Sequence, residues 1–412
     1  MFSKEIMEKY ADVLVKIGLN IQKGQYLLLQ CGTDQIELAR VVALKALQAG
    51  AKDVHVSISD PYIDRIRGQH LSSEQLEIVP DWKCEEEDYY LRNGGVQLGL
   101  MGTYPDLYEG VDDDCAMAIA KAHNDVRNVV RKYIHAGTIQ WTGTAIPTKE
   151  WAVKVYPEKD ADEALKQLEE DIIRMMRLDQ DDPVQAWIDH CNKLKEVGDK
   201  LNAYQFKSLH LQSELGTDLT MDLVENHIWC SAADEGDSKA PAKYIANMPT
   251  EEIFCDPHCD TVNGIAYASK PLIISGKLVK DFWIKFENGL AVDCGASQNV
   301  EFLKNALFKD DRTRRLGEVA LVSKQSVINK IGRLFYNGLI DENAASHLAF
   351  GASFPSNIKG GTAMSEEELM KNGVNVASCH NDFMVGTENY HVEGITHDGE
   401  VVVIMDKGDF VI

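Results

Sequence analysis

Residues 26–58, YLLLQCGTDQIELARVVALKALQAGAKDVHVSI, decide the fold. Tyr26 to Gln30 is a short apolar run bounded by Gly24 and Gly32, the pattern of a buried strand. From Thr33 the segment DQIELARVVALKALQAG carries apolar residues at helical spacing and stops at Gly50, a residue suited to the left-handed turn that closes helices. Asp53–Ile58 then alternates polar and apolar side chains, which reads as a second strand. A strand, a helix and a strand in this order form a βαβ unit and predict a parallel sheet.

The same alternation continues on both sides. Ile6, Tyr10, Leu14 and Ile17 recur at helical spacing and stop near Gly18. Val96–Met101 supplies a further strand, and residues 111–137 a long helix whose acidic start and basic end suit the helix dipole. Gly32 and the pair Gly94-Gly95 do not build the GxGxxG turn that cradles a dinucleotide, so the parallel sheet is architecture without that function. Residues 160–202 are helical and heavily charged, with a helix restarting at Pro183. Beyond them the pattern turns to strands over 208–213, 218–224, 262–269, 281–286 and 401–405, with Asn288-Gly289 and Asp398-Gly399 as turns and one helix over 299–308. The expected fold is α/β throughout. An N-terminal parallel-sheet domain, 1–200, precedes a strand-rich α/β metal-binding domain, 201–412.

With 42 Lys and Arg against 65 Asp and Glu, the formal charge of −23 repels a phosphate backbone or an anionic bilayer, so neither nucleic acid nor membrane is an expected partner. The start MFSKEIMEKY lacks the basic and then apolar order of a signal peptide, and no run of about 18 apolar residues occurs, which points to the cytoplasm. Nine scattered cysteines in 412 residues fit reduced thiols better than a disulfide framework. Cys255-Asp256-Pro257-His258-Cys259 resembles half of a zinc site, but no matching second pair lies nearby, and free loop thiols are expected.

HExxH, GxSxG, GxxxxGK[ST] and CxxC are all absent, which removes the zincin, α/β-hydrolase, P-loop and dithiol readings. The informative residues instead interrupt apolar strands. Glu251 and Glu252 precede Ile253-Phe254, Glu318 lies within LGEVALV, His347 within SHLAFG, and His380 and Asp382 within SCHNDFMVG. A desolvated carboxylate without a partner costs several kcal/mol, so each of these residues needs a counter-charge or an ion. Taken singly, a strand Glu or a core His is ordinarily a paired structural residue. Together they make a ligand set for Zn²⁺, Co²⁺ or Mn²⁺, with groups enough for two ions if one carboxylate bridges. His380 and Asp382 are two apart and would share one face of a strand.

The segments NMPTEEIF, LGEVALV, DENAASHLAFG and SCHNDFMVG, in this order and spacing, resemble the metal-binding blocks of the M29 metallopeptidases, the group of aminopeptidases T and S/PepS. The resemblance extends through WTGTAIPTKEWAVKVYP, DDPVQAW and LGTDLTMDL and covers most of the chain. It implies metal ligands at Glu252, Glu318, His347, His380 and Asp382, two divalent ions, cleavage of peptides from a free N-terminus, and a homodimer. One position departs from the family pattern. Where the family commonly has a tyrosine seven residues after the first ligand histidine, this chain has Phe354, whose ring cannot coordinate. A general base is not evident; Glu251 is a candidate by chemistry, but in an extended segment it points away from Glu252. Two other functions share these residues: a homologue that holds metal or peptide without hydrolysis, and a mononuclear iron dioxygenase on two histidines and an acid.

Overall fold

The computed structural model describes residues 2–233, 236–274 and 277–412. They form two compact units: residues 1–188 with 239–248, and residues 189–238 with 249–412.

The first unit is built on a five-stranded parallel sheet with strand order Asp53–Ser59, Tyr26–Gly32, Val96–Gly102, Trp141–Ile146 and Asn247–Met248. The βαβ unit closes as its sequence predicts. Helix Ile36–Gln48 ends before Gly50, whose φ of +100° is a conformation that L side chains resist. Leu27, Leu28 and Leu29 are all completely buried, because helices cover a parallel sheet on both faces. Helices Pro61–His70, Ser73–Leu76 and Asp81–Arg92 fill the stretch between strands Asp53–Ser59 and Val96–Gly102. The former begins on Pro61 with the Asp60 side chain accepting from the backbone N–H of Tyr62 at 2.9 Å, a standard cap.

Asp81–Arg92 also buries Glu87, whose Oε1 accepts from Gln30 Nε2 at 2.7 Å while Oε2 has no partner. Burial is the main cause that lifts its carboxyl from the usual range to about 7. A raised carboxyl pKa adds stability that is complete below the unfolded value and is lost as pH rises through the folded one, here between pH 4.5 and about 7. Glu87→Gln should therefore match the wild type at pH 4 and exceed it at pH 8 by on the order of 2 kcal/mol. Thermal melts at the two pH values check this.

The second unit is antiparallel. Its larger sheet has eight strands in the order Leu290–Gly295, Trp283–Glu287, Asn263–Tyr267, Asp218–Asp222, Ser208–Gln212, His391–Ile395, Val401–Asp406 and Asp409–Phe410. Its smaller sheet has five, in the order His380–Met384, His347–Gly351, Leu316–Val322, Glu252–Cys255 and Cys230–Ser231. Leu209, Leu219 and Ile284 of the first pack with Ile253, Leu321, Leu348 and Phe383 of the second in one hydrophobic core. Because strand side chains alternate, residues next to these core positions in the smaller sheet face the other way. Those neighbours include Glu252, His347 and Asp382. Among the described residues no helix is long and apolar enough to cross a membrane.

Candidate metal centre

Four adjacent strands of the five-stranded sheet bring Glu252, Glu318, His347, His380 and Asp382 together. The register sets Val322 opposite Glu252, Ala320 opposite His347, Ala349 opposite Asp382 and Gly351 opposite His380. Small residues, Ala320 and Ala349, thus lie between the ligand-bearing side chains and leave them room. Glu318 reaches this face by alternation with the core residues Val319 and Leu321, just after a β-bulge. Leu316 and Val319 both lie in the core although three positions apart, and the register with His347–Gly351 slips between Leu316 and Glu318. The bulge returns Leu316 to the core. Gly317 permits it, since a Cβ there would meet the carbonyl oxygens of Ala352 and Gly351 at 2.3 and 2.5 Å.

His347 Nε2 stands 3.3 Å from Glu252 Oε2 and 3.4 Å from Glu318 Oε1. His380 Nε2 stands 3.1 Å from Glu318 Oε2 and 3.0 Å from Asp382 Oδ1. The carboxylate of Glu318 is therefore shared between two groups, Glu252/Glu318/His347 and Glu318/His380/Asp382, each with ligand atoms within 4.8 Å of one another. One Nε2–H cannot serve two carboxylates, and Glu252 Oε2 is left buried without a hydrogen bond. The opposite nitrogens are fixed by backbone: His347 Nδ1 faces Ala345 O at 3.2 Å and His380 Nδ1 faces Ala352 O at 2.7 Å. A ring whose Nδ1–H donates to a carbonyl presents the Nε2 lone pair, which is the arrangement a metal ligand requires. On the eight-stranded sheet His210 differs, because Nε2 faces Asp218 at 2.6 Å and Nδ1 faces Glu393 at 3.6 Å, with neither nitrogen set aside.

Electrostatics follow from this packing. Burial opposes the cationic form of both rings, yet the facing carboxylates of Glu252 and Glu318 raise His347 well above its usual value, and Asp382 and Glu318 do the same for His380. Burial likewise opposes ionisation of Glu318, but hydrogen bonds from both histidines outweigh it and hold the carboxyl down to about 2. Without an ion, two imidazolium protons hold the carboxylates together. The donor set, the orphaned Glu252 oxygen and the oriented rings all fit divalent cations, which would take the place of those protons.

The family described as thermophilic metalloprotease (M29) matches residues 3–410. The chain belongs to the M29 family of metalloproteases. Within M29 it is 37% identical to aminopeptidase AmpS of Bacillus subtilis (strain 168) over 409 residues, covering 99% of both chains. The solved structure of wild-type AmpT from Thermus thermophilus superposes with a TM-score of 0.90 at 34% identity, covering 99% of this chain and 100% of that one. A 2,5-dihydroxypyridine dioxygenase from Pseudomonas putida KT2440 shares the fold at a TM-score of 0.53 and 12% identity, with 98% and 96% covered. That second likeness concerns architecture alone.

Glu342 escaped the sequence reading, although it stands in DENAASHLAFG five residues before His347. Burial, then the charges of Asp382, Glu252 and Glu318, push its carboxyl well above the usual range. The signal was an acid followed by Asn343, whose Oδ1 accepts from the backbone N–H of Glu251 at 2.7 Å and so ties this turn to the Glu252 strand. Cys255 and Cys259 are both buried, and Cys255 closes the strand Glu252–Cys255 instead of lying in the loop that the sequence suggests. Cys379 precedes His380 with its thiol outside both ligand groups. Its backbone carries the structural contact: Cys379 O accepts from Ala352 N at 2.7 Å, and a Cβ on Gly351 (φ +111°) would collide with that oxygen at 2.2 Å. Cys379→Ser should keep peptide hydrolysis within about twofold of wild type, read from initial rates on a leucyl amide.

Proposed function

We propose that this protein is a metal-dependent aminopeptidase that removes N-terminal residues from peptides by water attack at a dinuclear centre of Zn²⁺, Co²⁺ or Mn²⁺. The observation that carries the reading is the sharing of Glu318 between two three-residue groups on neighbouring strands. Glu252, Glu318 and His347 would hold one ion, and Glu318, His380 and Asp382 the other. Bound there, such ions lower the pKa of water and polarise a scissile carbonyl.

The chain's own residues do the rest. Ala345 O and Ala352 O fix the tautomers of His347 and His380. Three acidic side chains, those of Glu252, Glu318 and Asp382, converge on the site, and their charge favours a substrate that presents an α-ammonium group. Glu342 lies outside both groups, and we assign its carboxyl the role of taking a proton from the attacking water and returning it to the leaving amine. Glu342→Gln should lower kcat by about 10²–10⁴-fold while both ions stay bound. Loss of an ion in that variant would make Glu342 a ligand instead.

The test of the activity compares a leucyl peptide with its N-acetyl form in the metal-loaded protein. Release of leucine from the free peptide alone is the expected result. Internal cleavage of the blocked peptide would contradict an exopeptidase. Phe354 favours a second reading, a homologue that binds metal and peptide without turnover, and two bound ions with neither peptide cleaved would select it. A mononuclear dioxygenase would engage only one of the two groups. The family resemblance further implies a homodimer, which light scattering of the purified protein would test.

A further inference from the structure

Phe354 is 37% exposed, and among the described residues it is the one phenylalanine with so open a ring. It does not turn into the core. Its ring lies 4.9 Å from the His380 ring and 5.7 Å from that of Phe254. Phe254 shares a strand face with Glu252, two positions earlier, and alternates with the core residues Ile253 and Cys255. Two aromatic rings therefore adjoin the carboxylate and histidine cluster on the side of His380.

The pair is held in place. Asn357 is fully buried; its side-chain amide donates to Phe254 O at 3.2 Å and its backbone N–H donates to Phe354 O at 2.9 Å. The Phe354 N–H donates to Asp256 Oδ1 at 3.3 Å, and Pro355 restricts the preceding residue to the extended backbone observed, φ −105° and ψ 119°. An exposed aromatic surface fixed by a buried clasp beside a polar centre is the arrangement of a ligand subsite, in which apolar walls bind and a few polar groups orient.

We infer that Phe254 and Phe354 form a shelf for the side chain of the substrate's N-terminal residue, so that the enzyme selects aliphatic and aromatic N-termini over glycine and acidic ones. This rests on the aminopeptidase reading, in which the N-terminal residue is the one anchored at the metal cluster. The acidic surroundings disfavour Asp and Glu side chains, and the rings cover the apolar ones. The ring of Phe354 carries no polar group and so adds to the apolar part of this surface.

Two measurements on the metal-loaded protein test the shelf. In the first, wild type should cleave leucine p-nitroanilide with a kcat/KM at least about tenfold above glycine p-nitroanilide. Phe354→Ala should cut that ratio about fivefold or more, and Phe354→Tyr should preserve it. A parallel fall for both substrates, or an unchanged ratio, overturns the shelf. In the second, calorimetry compares L-leucine hydroxamate with glycine hydroxamate and needs no turnover. Tighter binding of the leucine compound in wild type, lost in Phe354→Ala, supports the shelf even if no amide is cleaved, in which case only the proposed activity fails. Equal binding of the two, or binding of neither, overturns the shelf whatever the turnover.

Discussion

Glu318→Gln should abolish hydrolysis, with kcat/KM reduced by at least about 10⁴-fold, and should lower bound metal at both positions. Among the described residues Glu318 alone belongs to both three-residue groups, which gives it this reach. A glutamine amide can offer one neutral oxygen but cannot balance two divalent charges. The fold should survive. The sheet is held by the core of Val319, Leu321, Leu348, Phe350 and Phe383 on its other face, and does not depend on an ion as a zinc finger does. His380→Ala removes one group and leaves Glu252, Glu318 and His347, so it should abolish activity while one ion remains. Metal analysis of the two variants separates the shared ligand from the unshared one: both ions lost in the first, one in the second. Equal loss in the two variants would contradict the sharing.

The second large effect is on pH. His347 and His380 are held as imidazolium in the metal-free site by their carboxylate partners, so an incoming ion must displace those protons. Affinity should accordingly rise with pH around neutrality, by roughly tenfold per pH unit for each proton displaced. Stability of the metal-free protein should run the other way. A raised histidine pKa gives stability that is complete below the unfolded value of about 6.5 and is lost as pH climbs through the folded one. Melting of the stripped protein should thus fall above pH 6.5, while the loaded protein gains with pH. Calorimetry in buffers of different ionisation enthalpy reads the protons directly. Release of none on binding would mean that the rings are neutral before the ion arrives.

Much of this was legible because strands and helices write their burial into local patterns. The βαβ unit of residues 26–58, the helix of 111–137 and the pairing of His380 with Asp382 on one face follow from periodicity. Other features depend on contacts distant in sequence. The return of residues 239–248 to the first unit ends in a two-residue strand, Asn247–Met248, too short for any alternation to mark. Helix Asp81–Arg92, DWKCEEEDYYLR, is so charged that no apolar stripe announces it. In the candidate site, the sequence pointed to Glu318 as an acid in a buried strand but not to the bulge just before it, since Gly317 acquires its meaning only beside Ala352 O. Glu342 was passed over because it interrupts no apolar run. Phe354 was read as a missing ligand, whereas its exposure and its clasp by Asn357 give it a surface of its own.

The central claim is a two-ion hydrolytic site, and counting ions against activity tests it most directly. The protein is stripped with a chelator, reloaded stepwise with Zn²⁺, Co²⁺ or Mn²⁺, and followed by mass spectrometry under native conditions and by leucine release from a leucyl amide. The account predicts two ions per chain, with activity appearing as the second position fills. One ion per chain at full activity, or full activity with none, would contradict it.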